Sequence, residues 1–345
     1  MKLYIILINF MVFFQITLAT AQVYFVNPKT GLDSNLGSKC SPVKTINRAL
    51  QLANETSGTN IVVLKLMPGY YYLNDIVNIN SCQGVDSKRR LIIEASLMPD
   101  DSTWTPMKMP IIQSTSDNNS FKQFKHAVAF QIKQSHVTIR GLKFIGNPNP
   151  DVKYYYPIAK EDELLVDLNI SQCYFIGERN SAPIQGAIYT FGEGLKVNHC
   201  VFYNCRNGIL RFYNKANMGY KNAITHNIIY GSYEGALWFD PDPEFIFRNN
   251  IIANCQHVWI KYHKDNERYS FSNCVITKFS SYVTAIADGG HMSENIQITN
   301  IDEVNVKKEG EVNLIYGSNE NLPRNYLHLT EESVGYKFKA GIFKK

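Results

Sequence analysis

Six ten-residue blocks in this chain share one internal pattern: VTIRGLKFIG (137–146), LNISQCYFIG (168–177), LKVNHCVFYN (195–204), NAITHNIIYG (222–231), FIFRNNIIAN (245–254) and YSFSNCVITK (269–278). Their third residues are Ile139, Ile170, Val197, Ile224, Phe247 and Phe271. Their sixth are Leu142, Cys173, Cys200, Asn227, Asn250 and Cys274, and their eighth Phe144, Phe175, Phe202, Ile229, Ile252 and Ile276. The sixth position recurs after 31, 27, 27, 23 and 24 residues, a period that belongs to stacked-repeat architectures. Inward residues at i, i+3 and i+5 fit neither a helix nor one straight strand, but they fit strand, sharp corner, strand. A small polar or thiol residue at the corner then meets its own copy one rung away, as in a parallel β-helix. A leucine-rich or helical solenoid is the competing reading. The blocks lack L-x-x-L-x-L spacing and are rich in strand and turn formers instead.

Composition sets the surroundings. Residues 1–21 carry Lys2, an apolar run and an Ala19-Thr20-Ala21 cleavage site, so they read as a removable export signal. The chain is expected to be secreted or periplasmic, without a membrane anchor, and monomeric. A formal net charge of +5 permits an acidic partner, and no Lys/Arg cluster interleaved with aromatics points to nucleic acid. Of seven cysteines, Cys173, Cys200 and Cys274 share one interior position and read as stacked free thiols, with Cys205 and Cys255 also inside. Cys40 and Cys82 lie outside the repeat and are candidates to pair in an oxidising compartment. No Cys-x-x-Cys or His-x-x-x-His spacing marks a metal site.

Along the chain, Ser41-Pro42 is expected to open a helix with Val43, Ile46, Leu50 and Ala53 on one face, covering the open end of the solenoid. The stretch VYFVNPKTGLDSNLGSKCSPVKTINRALQLA, followed by IVVLKLMPGYYYL, resembles the opening of secreted pectate-lyase-like right-handed β-helix proteins. The I-x-x-N-x-I blocks resemble their repeats. The resemblance covers most of the chain and implies a right-handed parallel β-helix. It leaves the reaction open, because that fold hosts lyases, hydrolases, epimerases and binding proteins. The expected organisation is an N-terminal cap and first coils over 22–105, repeats over 106–305, and a C-terminal cap over 306–345, with 336–343 strand-like. The segment 147–163 interrupts the repeat, and its Tyr154, Tyr155 and Tyr156 either stack on sugar rings or pack the loop onto the coil.

Before each later block runs a further strand: GAIYTF (186–191), GILRFY (208–213), GALWFD (235–240) and HVWIKY (257–262). With Ile188, Leu210, Leu237 and Val258 inward, alternation turns Tyr189, Arg211, Trp238 and Trp259 outward. In the resembling family this outer face floors a substrate groove, which implies a polysaccharide or oligosaccharide as partner. Lyase-type β-elimination on an acidic sugar needs a cation on the carboxylate and a base for the neighbouring proton. Lys261, Arg211 and His263 are the candidates, with Tyr189, Trp238 and Trp259 binding sugar. VWIKYH (258–263) echoes the V-W-I-D-H signature of pectate lyases with Lys261 in place of the acid, so no clear calcium motif is present and the cofactor stays unassigned. A glycoside hydrolase would instead draw a carboxylate pair from Asp240, Asp242, Glu244 and Glu234, with Asp242 otherwise a binding residue. The third reading is a non-catalytic glycan-binding or structural solenoid.

Overall fold

A computed structural model describes residues 21–55, 61–80, 89–212, 219–239, 242, 244–261, 268–286, 292–293, 301–318 and 321–344. The chain winds as a right-handed parallel β-helix with three sheets. The first sheet runs from Gln22–Val26 through Ile61–Leu66, Arg90–Ala95 and Val137–Arg140, then through the opening residues of each later block to Ile301–Lys307. The second contains Gly69–Leu73, Pro110–Ser114 and Lys143–Ile145, then the closing residues of each block. The third contains Val77–Ile79, Ala127–Ile132, Tyr155–Lys160, Gly186–Phe191, Asn207–Phe212 and Gly235–Phe239, then the ends of Ile251–Lys261 and Tyr269–Ile286.

The ten-residue block is therefore first-sheet strand, corner, second-sheet strand. Third residues pair with third residues and eighth with eighth through the stack. Phe144, Phe175 and Phe202 lie face to face at 5.1 and 4.9 Å. The corner is made by the fifth residue, which is left-handed in every block: Gly141, Gln172, His199, His226, Asn249 and Asn273, with φ between 52° and 73°. The sixth residue then faces the interior. Asn227 Nδ2 donates to Asn250 Oδ1 at 3.1 Å and to the Val197 carbonyl at 3.0 Å, while Asn227 Oδ1 accepts from the Cys200 amide at 2.9 Å. Such a row leaves no buried amide unpaired. The thiols of Cys173, Cys200 and Cys274 donate to carbonyls two residues back, and burial pushes the Cys255 and Cys274 thiols up to about 11 and about 12. Cys205 and Cys255 are buried, Cys40 is exposed, and Cys82 lies outside the described residues, so its pairing with Cys40 lies there too.

Several expectations are corrected. The helix is Ile46–Glu55 and starts later than Ser41-Pro42, because Val43 is held in an isolated parallel bridge to Val26. Thr45 caps it, its Oγ1 accepting the Arg48 amide at 3.1 Å. Its buried face is Ile46, Ala49, Leu50, Leu52 and Ala53. The segment 147–163 is not a loop throughout: Tyr155–Lys160 is a rung of the third sheet, with Tyr155 in the core. Within 336–343, Tyr336–Phe338 is a single 3₁₀ turn, because Gly335 and Lys339 are left-handed on either side. The segment expected as an end cap lies along the flank as a strap. Val312, Leu314, Leu327, Leu329 and Ile342 bury the outward residues Tyr174, Val201, Ile228 and Ile251 of the second sheet. Arg324 fixes the strap to the carbonyls of Pro99, Asp101, Ser102 and Trp104 at 2.8–3.0 Å.

Candidate functional site

The third sheet positions the site, and its strands do not alternate strictly. Near the start of each rung the chain bends, and two consecutive residues join the core: Ala187 and Ile188, Ala236 and Leu237, Val258 and Trp259. The row Ile188, Ile209, Leu237, Trp259, Val283 is interior. The row Tyr189, Leu210, Trp238 stands beside it, with Tyr189 and Leu210 in a separate outer cluster against which Trp238 packs. The phase expected for two rungs is thus off by one. Leu210, expected inward, lies in the outer cluster. Arg211, expected outward, is 4% exposed, and its Nε donates to the Gly192 carbonyl at 3.2 Å while Nη2 stands 3.7 Å from Asp242. Trp259, also expected outward, is 1% exposed, donates Nε1–H to the Phe239 carbonyl at 3.1 Å, and packs edge-on against Tyr269 at 4.7 Å.

Lys261 is buried as well, its ammonium 5.4 Å from the Trp259 ring centroid and 5.9 Å from that of Tyr269. Lys160, Thr190 and Arg211 form one column at the strand ends, buried throughout. Burial, with the Arg211 charge next in weight, holds the Lys160 amine down at about 8. Asp242 accepts from Asn222 Nδ2 at 2.6 Å, and Asn222 Oδ1 accepts the Leu195 amide at 2.8 Å, so Asp242 ties its turn to the first sheet. Glu244 pairs with Lys221 at the surface, at 3.2 Å. Asp240 and His263 lie outside the described residues.

On the outer face of this sheet is a cleft of ≈ 460 Å³. Of the residues expected to bind or act, Tyr189, Trp238 and Glu234 line it; Arg211, Lys261, Trp259, Asp242 and Glu244 do not. Its floor is a chain of rings. Phe124 meets Tyr154 edge-on at 5.4 Å, Tyr156 stacks on Tyr189 at 4.5 Å, and Phe212 joins Tyr189 at 5.6 Å to Trp238 at 6.1 Å. Gly186 permits this closeness: a Cβ there would stand 2.0 Å from Leu210 Cδ1 and 3.1 Å from the Tyr156 ring. One edge of the cleft is polar. Arg206 clasps Glu234 through Nε at 3.0 Å and Nη2 at 3.1 Å, and its Nη1 donates to Gln185 Oε1 at 3.3 Å. Asn207 Nδ2 also donates to Glu234, at 2.6 Å. A two-pronged guanidinium–carboxylate pair holds both planar groups in fixed orientation beside the rings. The opposite wall is the segment 117–126, where Gln123 Oε1 accepts the Tyr189 hydroxyl at 3.0 Å.

Gln185 and Arg206 were not singled out from the sequence, and Glu234 was named only as a hydrolase carboxylate. A signal was available, since each immediately precedes a third-sheet strand and so falls at one level of the stack. His126 stands in the same place before Ala127–Ile132.

Beyond the wall lies a second cleft of ≈ 550 Å³, polar in lining, with Asn78, Asn119, Lys122, Lys133, Glu161 and Asp162 among its residues. Among the described residues no three His, Cys, Asp or Glu side chains converge as a metal site would require, and no helix is long and apolar enough to cross a membrane.

Comparison with solved structures finds similarity to a GH136 lacto-N-biosidase from Eubacterium ramulus, with TM-score 0.46 and 12% identity over 77% of this chain and 57% of that one. A rhamnogalacturonan lyase gives TM-score 0.45 and 11% identity over 93% and 100% of the two chains. The pectin methylesterase PemA from Erwinia chrysanthemi gives 0.42 and 12% over 91% and 95%. The chain thus spans little more than half the length of the first of these. Comparison with curated protein sequences finds no match. The family described as "Protein of unknown function (DUF1565)" matches residues 29–275, which take in the cleft and nearly all of the coils, and the chain belongs to that family of right-handed β-helix proteins.

Proposed function

We propose that this is an exported carbohydrate-binding β-helix protein whose aromatic cleft takes a sugar chain. The observation that carries the reading is the cleft in which the partly exposed rings of Phe212 and Trp238, backed by the buried Tyr156–Tyr189 stack, stand beside the Arg206–Glu234–Gln185 edge. Sugar rings offer C–H faces to aromatic planes and hydroxyls to oriented donors and acceptors, and a concave, mostly apolar site with a few fixed polar groups suits both demands. The elimination chemistry read from the sequence receives less support. Lys261 and Arg211 are buried within the coil and do not line the cleft, where the carboxylate in place, Glu234, is already held by Arg206 and Asn207. Calorimetric titration of the purified protein against uronate-containing and neutral polysaccharides tests the proposal. Binding to at least one, weakened in Trp238→Ala and Tyr189→Ala, is expected. No binding across the panel overturns it. Release of unsaturated uronate ends that vanishes in Lys261→Ala would restore the lyase reading.

A further inference from the structure

The stack begins with one edge for each sheet, and among the described residues the chain covers two of the three. On the first sheet, the loop after Gln22–Val26 takes up the outer edge. The Phe25 amide donates to the Gly37 carbonyl at 2.7 Å, and the Phe25 carbonyl accepts the Val43 amide at 3.0 Å. On the third, the helix Ile46–Glu55 lies against Val77–Ile79. The second sheet starts at Gly69–Leu73, which pairs on one side only, with Pro110–Ser114. The Leu73 carbonyl accepts the Thr115 amide at 2.9 Å, so Leu73 and Tyr71 turn their main-chain groups toward that partner. The amides and carbonyls of Tyr70 and Tyr72 therefore point the other way, to the open edge. No main-chain group among the described residues bonds these four groups.

A slot of ≈ 370 Å³ lies along this edge. One bank is the stretch 70–75, and the other is Pro28 with residues 44–47. Pro28 closes the Gly69 end, where a Cβ on the glycine would stand 2.7 Å from Pro28 Cγ. Ile46 and Val77 give the slot an apolar inner side. On its outer side the rings of Tyr70 and Tyr72 lie nearly parallel with centroids 5.7 Å apart, and these residues are 50% and 61% exposed.

We propose that this edge is a docking site for an extended segment of a partner polypeptide, which adds one strand to the second sheet. Unpaired donors and acceptors in strand register are met by another main chain, with side-chain pockets on alternate sides setting the sequence preference. A sugar chain has no repeating N–H and C=O to match them. A second copy of this molecule would bring its own 28–47 bank against this one, whereas a lone segment enters between the banks. The segment's outward residues would lie beside Tyr70 and Tyr72, where aromatic and β-branched neighbours pair well, and its inward residues would meet Ile46 and Val77 and so be apolar. The site shares no lining residue with either cleft on the third sheet, and the proposal does not rest on the carbohydrate reading.

The probes are short capped peptides that alternate Val or Ile with Thr, Tyr or Phe and carry a lysine at each end. They are titrated into the full chain, and hydrogen exchange is read at single amides. Without peptide, the Tyr70 and Tyr72 amides should exchange freely while those of Tyr71 and Leu73 are protected. Saturating peptide should slow Tyr70 and Tyr72 by about tenfold or more. Only one edge of an added strand faces the protein, so N-methylation along that edge should abolish the effect and N-methylation along the other should leave it. Tyr72→Pro removes an N–H from the open side of an edge strand, a place where proline is tolerated, and should weaken binding about tenfold or more. Tyr72→Ala keeps that N–H and should weaken it less. Unchanged exchange across the whole peptide set overturns the proposal, as does equal binding of the two methylated forms. So does protection of the same amides by a polysaccharide, or self-association in sedimentation that Tyr72→Pro abolishes, which would give the edge to a second copy. Should Tyr72→Pro fail to fold, the two methylated peptides decide.

Discussion

The second and third sheets both turn a row of large apolar residues outward, and the chain treats the two rows differently. Over the second sheet, Tyr174, Val201, Ile228 and Ile251 are sealed by the strap. Over the third, Tyr156 and Tyr189 are packed beneath partly exposed rings, Phe212 and Trp238, which face an open cleft with a wall along one edge. Composition does not separate the rows; the covering segment does. An apolar row that receives a cover contributes to stability. One of similar make-up that remains a concave surface is available to a ligand. The strap also responds to pH. Burial holds the imidazoles of His199 and His328 down at about 4, with the neighbouring charges of His226 and His199 adding to it respectively. Both hold the strap: His199 Nδ1 donates to the Gly341 carbonyl at 3.1 Å, and His328 Nε2 accepts the Ile342 amide at 3.3 Å. Acid protonates these groups and loosens the strap.

The contrast can be broken most forcefully on the covered side. Leu327 is fully buried under the strap, and Leu327→Ala should cost about 2–5 kcal/mol in denaturant unfolding. A loss below that range would show that the strap lies on the sheet without supporting it. Next in size is the interior that both sheets share. Asn250→Leu strands the Asn227 amide and the Ile224 carbonyl, and should cost about 1–3 kcal/mol by the same measurement.

The open side should behave in reverse. Trp238→Ala is expected to weaken glycan binding by about tenfold, the scale of one aromatic contact, while moving the unfolding midpoint less than Leu327→Ala does. If its stability cost matches that of Leu327→Ala, the two rows are equivalent and the distinction fails. The smallest effect concerns acid. Histidine titrates near 6.5 in an unfolded chain, so a group held near 4 in the folded one contributes stability that is complete above about 6.5 and is lost as pH falls through 4. His199→Asn keeps a residue that tolerates the left-handed corner, as Asn249 and Asn273 do there. It should flatten part of the decline between pH 6.5 and 4, followed as midpoint against pH.

The coil was legible because its pattern is redundant. Six copies of one block fix the inward third, sixth and eighth residues; the observed pairing preserves the third and eighth, and the sixth are fully buried in every block. The corner asparagines could be placed because a polar residue inside a stack needs a copy of itself nearby. The third sheet was harder to read. Alternation assumes a straight strand, and the bend at Ala187, Ala236 and Val258 puts two residues in a row into the core, which carried Trp259 inward. The Asn207–Phe212 rung slipped the other way, sending Arg211 in and Leu210 out. The candidate site was half visible for the same reason: Tyr189 and Trp238 fall on the two rungs where the assumed phase of alternation holds. Glu234 was named only as a carboxylate candidate, and Arg206 sits one residue ahead of its strand, outside the alternation that was read.

The strap has a further consequence, for how such a chain can change over generations. Solenoids ordinarily lengthen or shorten by duplicating or deleting a repeat, because each coil touches only its neighbours. Here Arg324 grips residues 99–104 while Gly310 accepts from Thr277 and the Gly341 amide donates to the His226 carbonyl. The C-terminal segment therefore measures the stack like a ruler. Each coil gained or lost between these anchors would displace one set from the other by ~4.8 Å, more than any hydrogen bond can stretch. Coil number in this interval is locked to the length of a segment outside the repeat, and the two can change only together.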